Sequence, residues 1–288
     1  MSASPSAPVA PSRRVLHVAS EIAPFSATGG LGMVVGSLPA HQRAAGLGAH
    51  VVTPLYRFIE RDALVRGAEA PSVRLDGQTW TGRQWHTPDG HVTFLDVPKL
   101  FDRPHAYGPP GHAYDDNPLR FAVFCRMAAQ MADAADVFHL HDWQAALTAL
   151  YLGGRRPAVL TVHNLVYRGL CGLDWADRLG VPRALRTYEG VEYHGQMSLL
   201  KAGLVLADRL TTVSPRYAEE IQSEPGGAGL SGLFRHRRSR LSGILNGIDV
   251  EAWDPRADDA LAAPFDADDL EGRAACRAAL RATLHLDD

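Results

Sequence analysis

The strongest constraint on how this chain folds is the alternation of short apolar runs with segments of helical periodicity along most of its length. Val15-Leu16-His17-Val18-Ala19 opens the folded region as a strand. The glycine-rich stretch Thr28-Gly29-Gly30-Leu31-Gly32 follows as a loop, and Met33 to Ala45 carries apolar residues at helical spacing up to Gly46. A second strand is expected near His50 to Pro54. From Arg57 to about Leu100 the chain mixes Gly, Pro and Thr with alternating pieces such as His91-Val92-Thr93-Phe94-Leu95, which predicts hairpins or a small insertion. From Asn117 onward the alternation resumes. Helices are expected over Leu119 to Asp133, from His141-Asp142-Trp143 to about Leu152, over Met197 to Ala207, and over Pro215 to Gln222 with Ser214 as N-cap. Between them lie strands at Val137 to Leu140, Ala158 to Val162 and Arg209 to Val213, and a last one from Leu241 to Leu245 runs into Asn246-Gly247. Such a pattern predicts an α/β fold, a doubly wound, mostly parallel sheet with helices on both faces.

The chain has 288 residues, long for one small domain and short for two full-sized ones. With 46% hydrophobic and 21% charged residues it can bury a sizeable core. Its 29 basic and 32 acidic residues give a net charge of −3, so bulk charge predicts neither a nucleic-acid nor a membrane partner. No apolar run approaches the roughly 18–20 residues that cross a bilayer, and a soluble chain is expected. Residues 1–13 are rich in Ser, Ala and Pro, lack the apolar core of a secretory signal, and are expected to form a disordered tail. Cys125, Cys171 and Cys276 match neither a disulfide framework nor a metal-binding spacing, which points to a reducing cytoplasm. The tail from Asp254 is rich in Ala and Asp, with one amphipathic stretch near Leu270 to Leu284.

Polar residues collect at the carboxyl ends of the expected strands, where an open parallel sheet binds ligands because its loops diverge and helix N-termini face the crevice. These are Ser20-Glu21 with the glycine loop, His141-Asp142, His163-Asn164, Ser214-Pro215 and Asn246-Gly247-Ile248-Asp249. The spacing Gly30-x-Gly32-x-x-x-Gly36 suits a nucleotide loop, and equally a tight turn without a ligand. A nicotinamide enzyme needs a carboxylate at the end of the second strand, whereas this strand ends in Leu55-Tyr56-Arg57. His139 and His141 face one side of a strand as metal ligands do, but no further ligands are evident. Asp142 is read as an N-cap or a sugar-hydroxyl acceptor, His139 as a core histidine, and no metal is expected. His163-Asn164 reads either as a capping pair under its loop or as polar groups beside a reacting sugar.

Seven motifs fit one family together. They are Ser20-Glu21-x-x-Pro24, Thr28-Gly29-Gly30-Leu31-Gly32, His141-Asp142-Trp143-Gln144-Ala145, Thr161-Val162-His163-Asn164-Leu165, Leu200-Lys201-Ala202-Gly203-Leu204, the run Ala207 to Pro215, and Gly243-Ile244-Leu245-Asn246-Gly247-Ile248-Asp249. With them the chain resembles the N-terminal half of bacterial glycogen synthases and plant starch synthases, from about Val15 to its end. The resemblance implies a Rossmann-like N-terminal half of a two-Rossmann (GT-B) glycosyltransferase, in which ADP-glucose donates glucose, with retention, to an α-1,4-glucan such as glycogen. Carried over, His163 and Asp142 become the catalytic-site residues. Thr28, Gly29 and Gly30 become the donor-phosphate loop, and Tyr107, Asn164 and Asn246 lie on the sugar or acceptor side. No cofactor is implied.

Two departures qualify the expectation. Ala27 replaces the Lys that the family places before Thr-Gly-Gly, and Met33 stands where the family has an Asp. The resemblance also places a second domain beyond this chain, so that 14–253 is expected to be the N-terminal catalytic domain and 254–288 a linker and first helix. Activity is then expected to be weak alone and to need a second polypeptide carrying the other domain. A glucan-binding or regulatory module without turnover, and a truncated gene product, remain as alternatives. Among other residues, Trp143 is read as packing, and Lys201 as a phosphate or interdomain contact or a partner of a local carboxylate. Glu192 and His194 are candidates for the cleft, and Arg235, Arg237, Arg238 and Arg240 for a solvated helix face.

Overall fold

The computed structural model describes residues 13–251 and 253–286. Apart from Arg13, the tail expected over residues 1–13 lies outside them. Compactness divides the chain into one unit ending at Leu245 and another beginning at Asn246. From sequence the division is expected after Trp253.

In the first unit nine strands form one sheet: β1 (Arg14–Val18), β2 (Gly48–Pro54), β3 (Val65–Glu69), β4 (Arg83–His86), β5 (Val92–Asp96), β6 (Val137–His141), β7 (Ala158–Val162), β8 (Arg209–Thr212) and β9 (Leu241–Gly243). Their order across the sheet is β9-β8-β7-β6-β1-β2-β5-β4-β3. Every pair from β9 to β5 is parallel, and β4 and β3 complete one edge antiparallel. The doubly wound, mostly parallel α/β expectation is met. The stretch from Arg57 to Leu100 supplies the antiparallel edge, the short hairpin Val73–Leu75/Gln78–Trp80, and β5, which joins the sheet in parallel.

The central strands are apolar because both of their faces are covered, the sequence signature of parallel sheets. Leu16, Val18, Val51, Val52, Phe138, Leu140, Leu160 and Val162 are all buried. Helices α1 (Gly30–Ala44), α2 (Asn117–Ala129), α3 (Asp142–Leu152) and α4 (Leu199–Leu206) connect or cover these strands. Helix α1 begins at Gly30, before the expected Met33, because Gly29 takes the N-cap position. Helix α4 starts two residues later than expected, since Gln196–Ser198 pairs as a strand and the Ser198 side chain caps the helix by accepting from the Lys201 N–H. Ser214 caps its helix as expected, accepting from the Tyr217 N–H. The last sheet strand ends at Gly243, short of the expected Leu245.

In the second unit the expected amphipathic stretch is a helix, Glu271–Leu284, with no residue fully buried. Arg256 and Asp254 form an ion pair within the same unit. No helix among the described residues is long and apolar enough to cross a membrane.

Candidate active site

The strand order reverses between β1 and β6, and at such a switch point the loops leaving the carboxyl ends turn apart and open a crevice. The loop after β1 carries Glu21, and the residue after β6 is Asp142.

Glu21 is buried and ties three segments together. One carboxylate oxygen accepts from the Thr28 backbone N–H at 2.5 Å, and the other accepts from the Thr28 hydroxyl at 2.8 Å and from the Tyr107 hydroxyl at 2.5 Å. Tyr107 has spent its only proton on Glu21, so the Ser20 hydroxyl, 2.7 Å away, donates to the phenol oxygen. Tyr107 is held in turn from below. Asn117 donates to its carbonyl, and the fully buried Arg120 donates to the Leu100 and Ala106 carbonyls and to the Asn117 side chain. The Tyr107 hydroxyl is therefore an anchor of the glycine loop.

The glycines of that loop fall into two classes. A Cβ on Gly32 would lie 2.7 Å from the Ala27 Cβ, and one on Gly36 2.8 Å from the Ala23 carbonyl oxygen, so packing requires both glycines. A Cβ on Gly29 or Gly30 would meet nothing within 4 Å, and neither has a left-handed backbone. Protein packing therefore gives no reason for these two, which border open space at the start of α1. Helix α1 has no side-chain N-cap and no acidic residue in its first turn, so its free N–H groups and positive dipole end suit an anion. Ala27, Thr28 and Met33 are all exposed around this opening.

Asp142 is 6% exposed and adopts a left-handed backbone, φ +56°, which costs an L-residue about 1–2 kcal/mol. The N-cap reading of Asp142 is corrected here. It is the first residue of α3, and its carboxylate turns to the neighbouring strand end, accepting from the backbone N–H of His163 at 2.7 Å. Burial raises its pKa to about 7, against the lowering effect of the His163 and Asn164 backbone N–H groups and with a further push from the negative Glu21. That push also places the Glu21 and Asp142 carboxylates within electrostatic reach of each other. A ring contact chain, Tyr107 to Phe121 at 5.8 Å and Phe121 to Trp143 at 5.1 Å, joins the same two sides of the crevice. Trp143 also packs over Gly169, where a Cβ would meet its ring at 2.5 Å, in keeping with its packing role.

The His163 ring is linked to a row of histidines. Its Nε2 lies 3.0 Å from His141 Nδ1, His141 Nε2 lies 3.0 Å from His17 Nδ1, and His17 Nε2 lies 2.7 Å from the Gln42 side-chain oxygen. His139 stacks on His141 at 4.3 Å between ring centres and pairs with the Thr161 hydroxyl at 2.7 Å. Burial lowers the pKa of His17 and of His163 to about 4, and those of His139 and His141 well below the usual imidazole value. One nitrogen each from His17, His139 and His141 fall within 4.8 Å of one another, a grouping that could hold a metal ion. His17 is the partner that sequence reasoning missed. Its signal is a polar residue inside an apolar strand, which the β1–β6 register sets opposite His139.

The remaining sequence candidates separate. Asn164 is exposed, not packed under its loop, and its side-chain oxygen accepts from the Val166 N–H in a local turn bond. Asn246 is exposed in the second unit. Buried Lys201 donates its ammonium to the backbone carbonyls of Tyr188 and Glu192, and the Glu192 and Glu189 carboxylates favour its charge against the cost of burial. Glu192 accepts from the Gly195 N–H, and His194 packs edge-on against Tyr193. Arg237 is buried and donates to the Leu204, Val205 and Ala207 carbonyls at the end of α4, which corrects its assignment to a solvated face.

Residues 14–236 match the family model described as the starch synthase catalytic domain. The glycogen synthase of Aromatoleum aromaticum is 43% identical over 296 residues, covering 95% of this chain and 58% of that protein. The glycogen synthase of Syntrophotalea carbinolica is 40% identical over 289 residues, covering 94% of this chain and 60% of that protein. The chain thus spans well under two thirds of these relatives. Among solved structures, the catalytic domain of starch synthase IV from Arabidopsis thaliana, bound to ADP and acarbose, superposes with a TM-score of 0.83 at 29% identity, covering 96% of this chain and 60% of that one.

Proposed function

The chain belongs to the starch synthase catalytic domain family, and from that premise we propose that it supplies one wall of a glucosyltransferase site taking glucose from ADP-glucose to the nonreducing end of an α-1,4-glucan, with retention of configuration. The supporting observation is the meeting, at one switch point, of an open glycine turn and the hydrogen-bonded pair of buried Asp142 and half-buried His163. In this reading the first turn of α1 and the backbone at Thr28, Gly29 and Gly30 take the donor phosphates. Glu21 and Tyr107 hold that turn in place. His163, neutral at physiological pH, and Asp142 border the donor sugar. Preorganised N–H dipoles stabilise the departing ADP most effectively when water is excluded, which a second wall, contributed by a second polypeptide or a further domain, provides.

The test measures labelled glucose transfer from ADP-glucose to glycogen, by the chain alone and with the remaining part of a glycogen synthase supplied in trans. Little transfer by the chain alone and transfer into glucanase-sensitive α-1,4 linkages by the mixture is expected. No ADP-glucose-dependent incorporation in either arm refutes the proposal.

A second reading, a glucan-binding module without turnover, draws on Ala27 and Met33, exposed positions that contribute no charge beside the phosphate turn. Glucan affinity retained in the mixture without transfer would favour it.

A further inference from the structure

The imidazole row beneath His163 has a direction. Gln42, in the last turns of α1, presents its side-chain oxygen to His17, and an amide oxygen can only accept. His17 must then carry its hydrogen on Nε2, which leaves Nδ1 of the neutral ring as an acceptor. Its neighbour at Nδ1 is His141 Nε2, 3.0 Å away, so that nitrogen donates and His141 Nδ1 accepts. The next link, 3.0 Å long, repeats the logic and requires His163 to donate from Nε2. His163 Nδ1 is left as a bare lone pair with no hydrogen-bond partner among the described residues.

The sheet builds this row by register. His17 lies opposite His139 across the β1–β6 pair, and His141 is two residues further along the same face. His141 lies opposite Thr161 across the β6–β7 pair, and His163 is again two residues further on. The links therefore climb diagonally across three parallel strands toward the carboxyl edge. His17 and His141 are fully buried and their ring nitrogens face only other imidazoles and an amide, so a charged ring there would be unpaired, and each neutral ring must be in one tautomer or the other.

We propose that Gln42, through His17 and His141, is a positioning residue that fixes His163 as the Nε2–H tautomer and makes its Nδ1 an acceptor for a substrate hydroxyl. The link to substrate rests on the reading of His163 as bordering the donor sugar, whereas the tautomer itself does not. A reversed row would offer the substrate a donor from the same atom, exchanging the hydroxyl's role from donor to acceptor.

The experiment is nitrogen-15 NMR of the full chain labelled at histidine, without substrate, at pH 7 to 8. Bare Nδ1 and protonated Nε2 signatures are expected at His17, His141 and His163 alike. In Gln42→Leu the single pattern should be lost, with the Nδ1–H form of His163 appearing. Gln42→Glu, whose carboxylate also only accepts, should restore the wild-type pattern. A wild-type His163 with its hydrogen on Nδ1, or a folded Gln42→Leu protein with all three tautomers unchanged, overturns the proposal. If Gln42→Leu does not fold, the wild-type pattern and Gln42→Glu decide. One equivalent of zinc should leave these signals in place, and zinc-induced shifts confined to His17, His139 and His141 would assign the cluster to a metal and also overturn it. Since no substrate is present, these outcomes are separate from success or failure of the glucosyl-transfer assay.

Discussion

The Asp142 carboxylate accepts the backbone N–H of His163 at 2.7 Å, joining the ends of two neighbouring parallel strands through a side chain that is 6% exposed. This bond locks the two residues proposed to border the donor sugar into one unit, and it does so with a carboxylate whose charge is disfavoured where it sits.

Asp142→Asn should therefore stabilise the fold at alkaline pH. The folded pKa of Asp142, about 7, exceeds the ordinary 3.8, so the folded state holds a proton that the unfolded state has lost. The favourable contribution is complete below pH 4 and disappears as pH rises to 7, an effect on the order of 4 kcal/mol. Asn keeps the acceptor for His163 without the charge. Denaturant melts at pH 8 should show the variant more stable by a few kcal/mol and at pH 4 nearly equal. Equal stability at both values would mean that Asp142 is not desolvated as described.

The histidine row titrates with the opposite sign. Folded pKa values of about 4 for His17 and His163 lie below the ordinary 6.5, so their contribution is present above pH 6.5 and is lost as pH falls toward 4. Each accounts for up to about 3 kcal/mol. Asp142 offsets part of this over the same window. In an Asp142→Asn background, stability should fall more steeply between pH 6.5 and 4 than in the wild type, which urea titrations at several pH values would measure.

Gly30 and Gly32 should respond differently to alanine. Gly30→Ala places a methyl in open space within a helix and should leave stability unchanged or raise it by about 0.5–1 kcal/mol. Gly32→Ala drives its methyl into Ala27 at 2.7 Å and should destabilise by about 1–3 kcal/mol. If the open turn receives phosphate, Gly30→Ala should weaken ADP binding in calorimetry although the fold is intact. Unchanged ADP affinity would detach the turn from the nucleotide.

Ala27→Lys tests the same turn by addition. Position 27 is exposed, so the longer side chain is accommodated, and a charge-assisted phosphate contact contributes about 1.5–3 kcal/mol. With the second wall supplied in trans to exclude water, ADP affinity should rise roughly ten- to a hundredfold and fall back with added salt, and the chain alone should gain little. A rise that survives high salt would indicate a contact other than charge.

The alternation of apolar runs and helical periodicity determined the doubly wound sheet, because each buried strand and each one-faced helix writes its period locally into the chain. Thr28-Gly29-Gly30, Asp142 and His163 were legible as a group for a related reason: they follow the carboxyl ends of strands, which the same pattern marks. Tertiary structure decided what each of them does. That Glu21 clamps Thr28 and Tyr107, that Asp142 reaches across to the next strand end in place of capping its own helix, and that Lys201 and Arg237 are consumed by backbone carbonyls all depend on residues brought together from distant parts of the chain. The row from Gln42 to His163 is the clearest case. Its directly linked members are up to 124 residues apart in sequence and meet only because strand register sets His17 beside His139 and His141 beside Thr161. Register is a property of pairing between strands, and no single strand carries it.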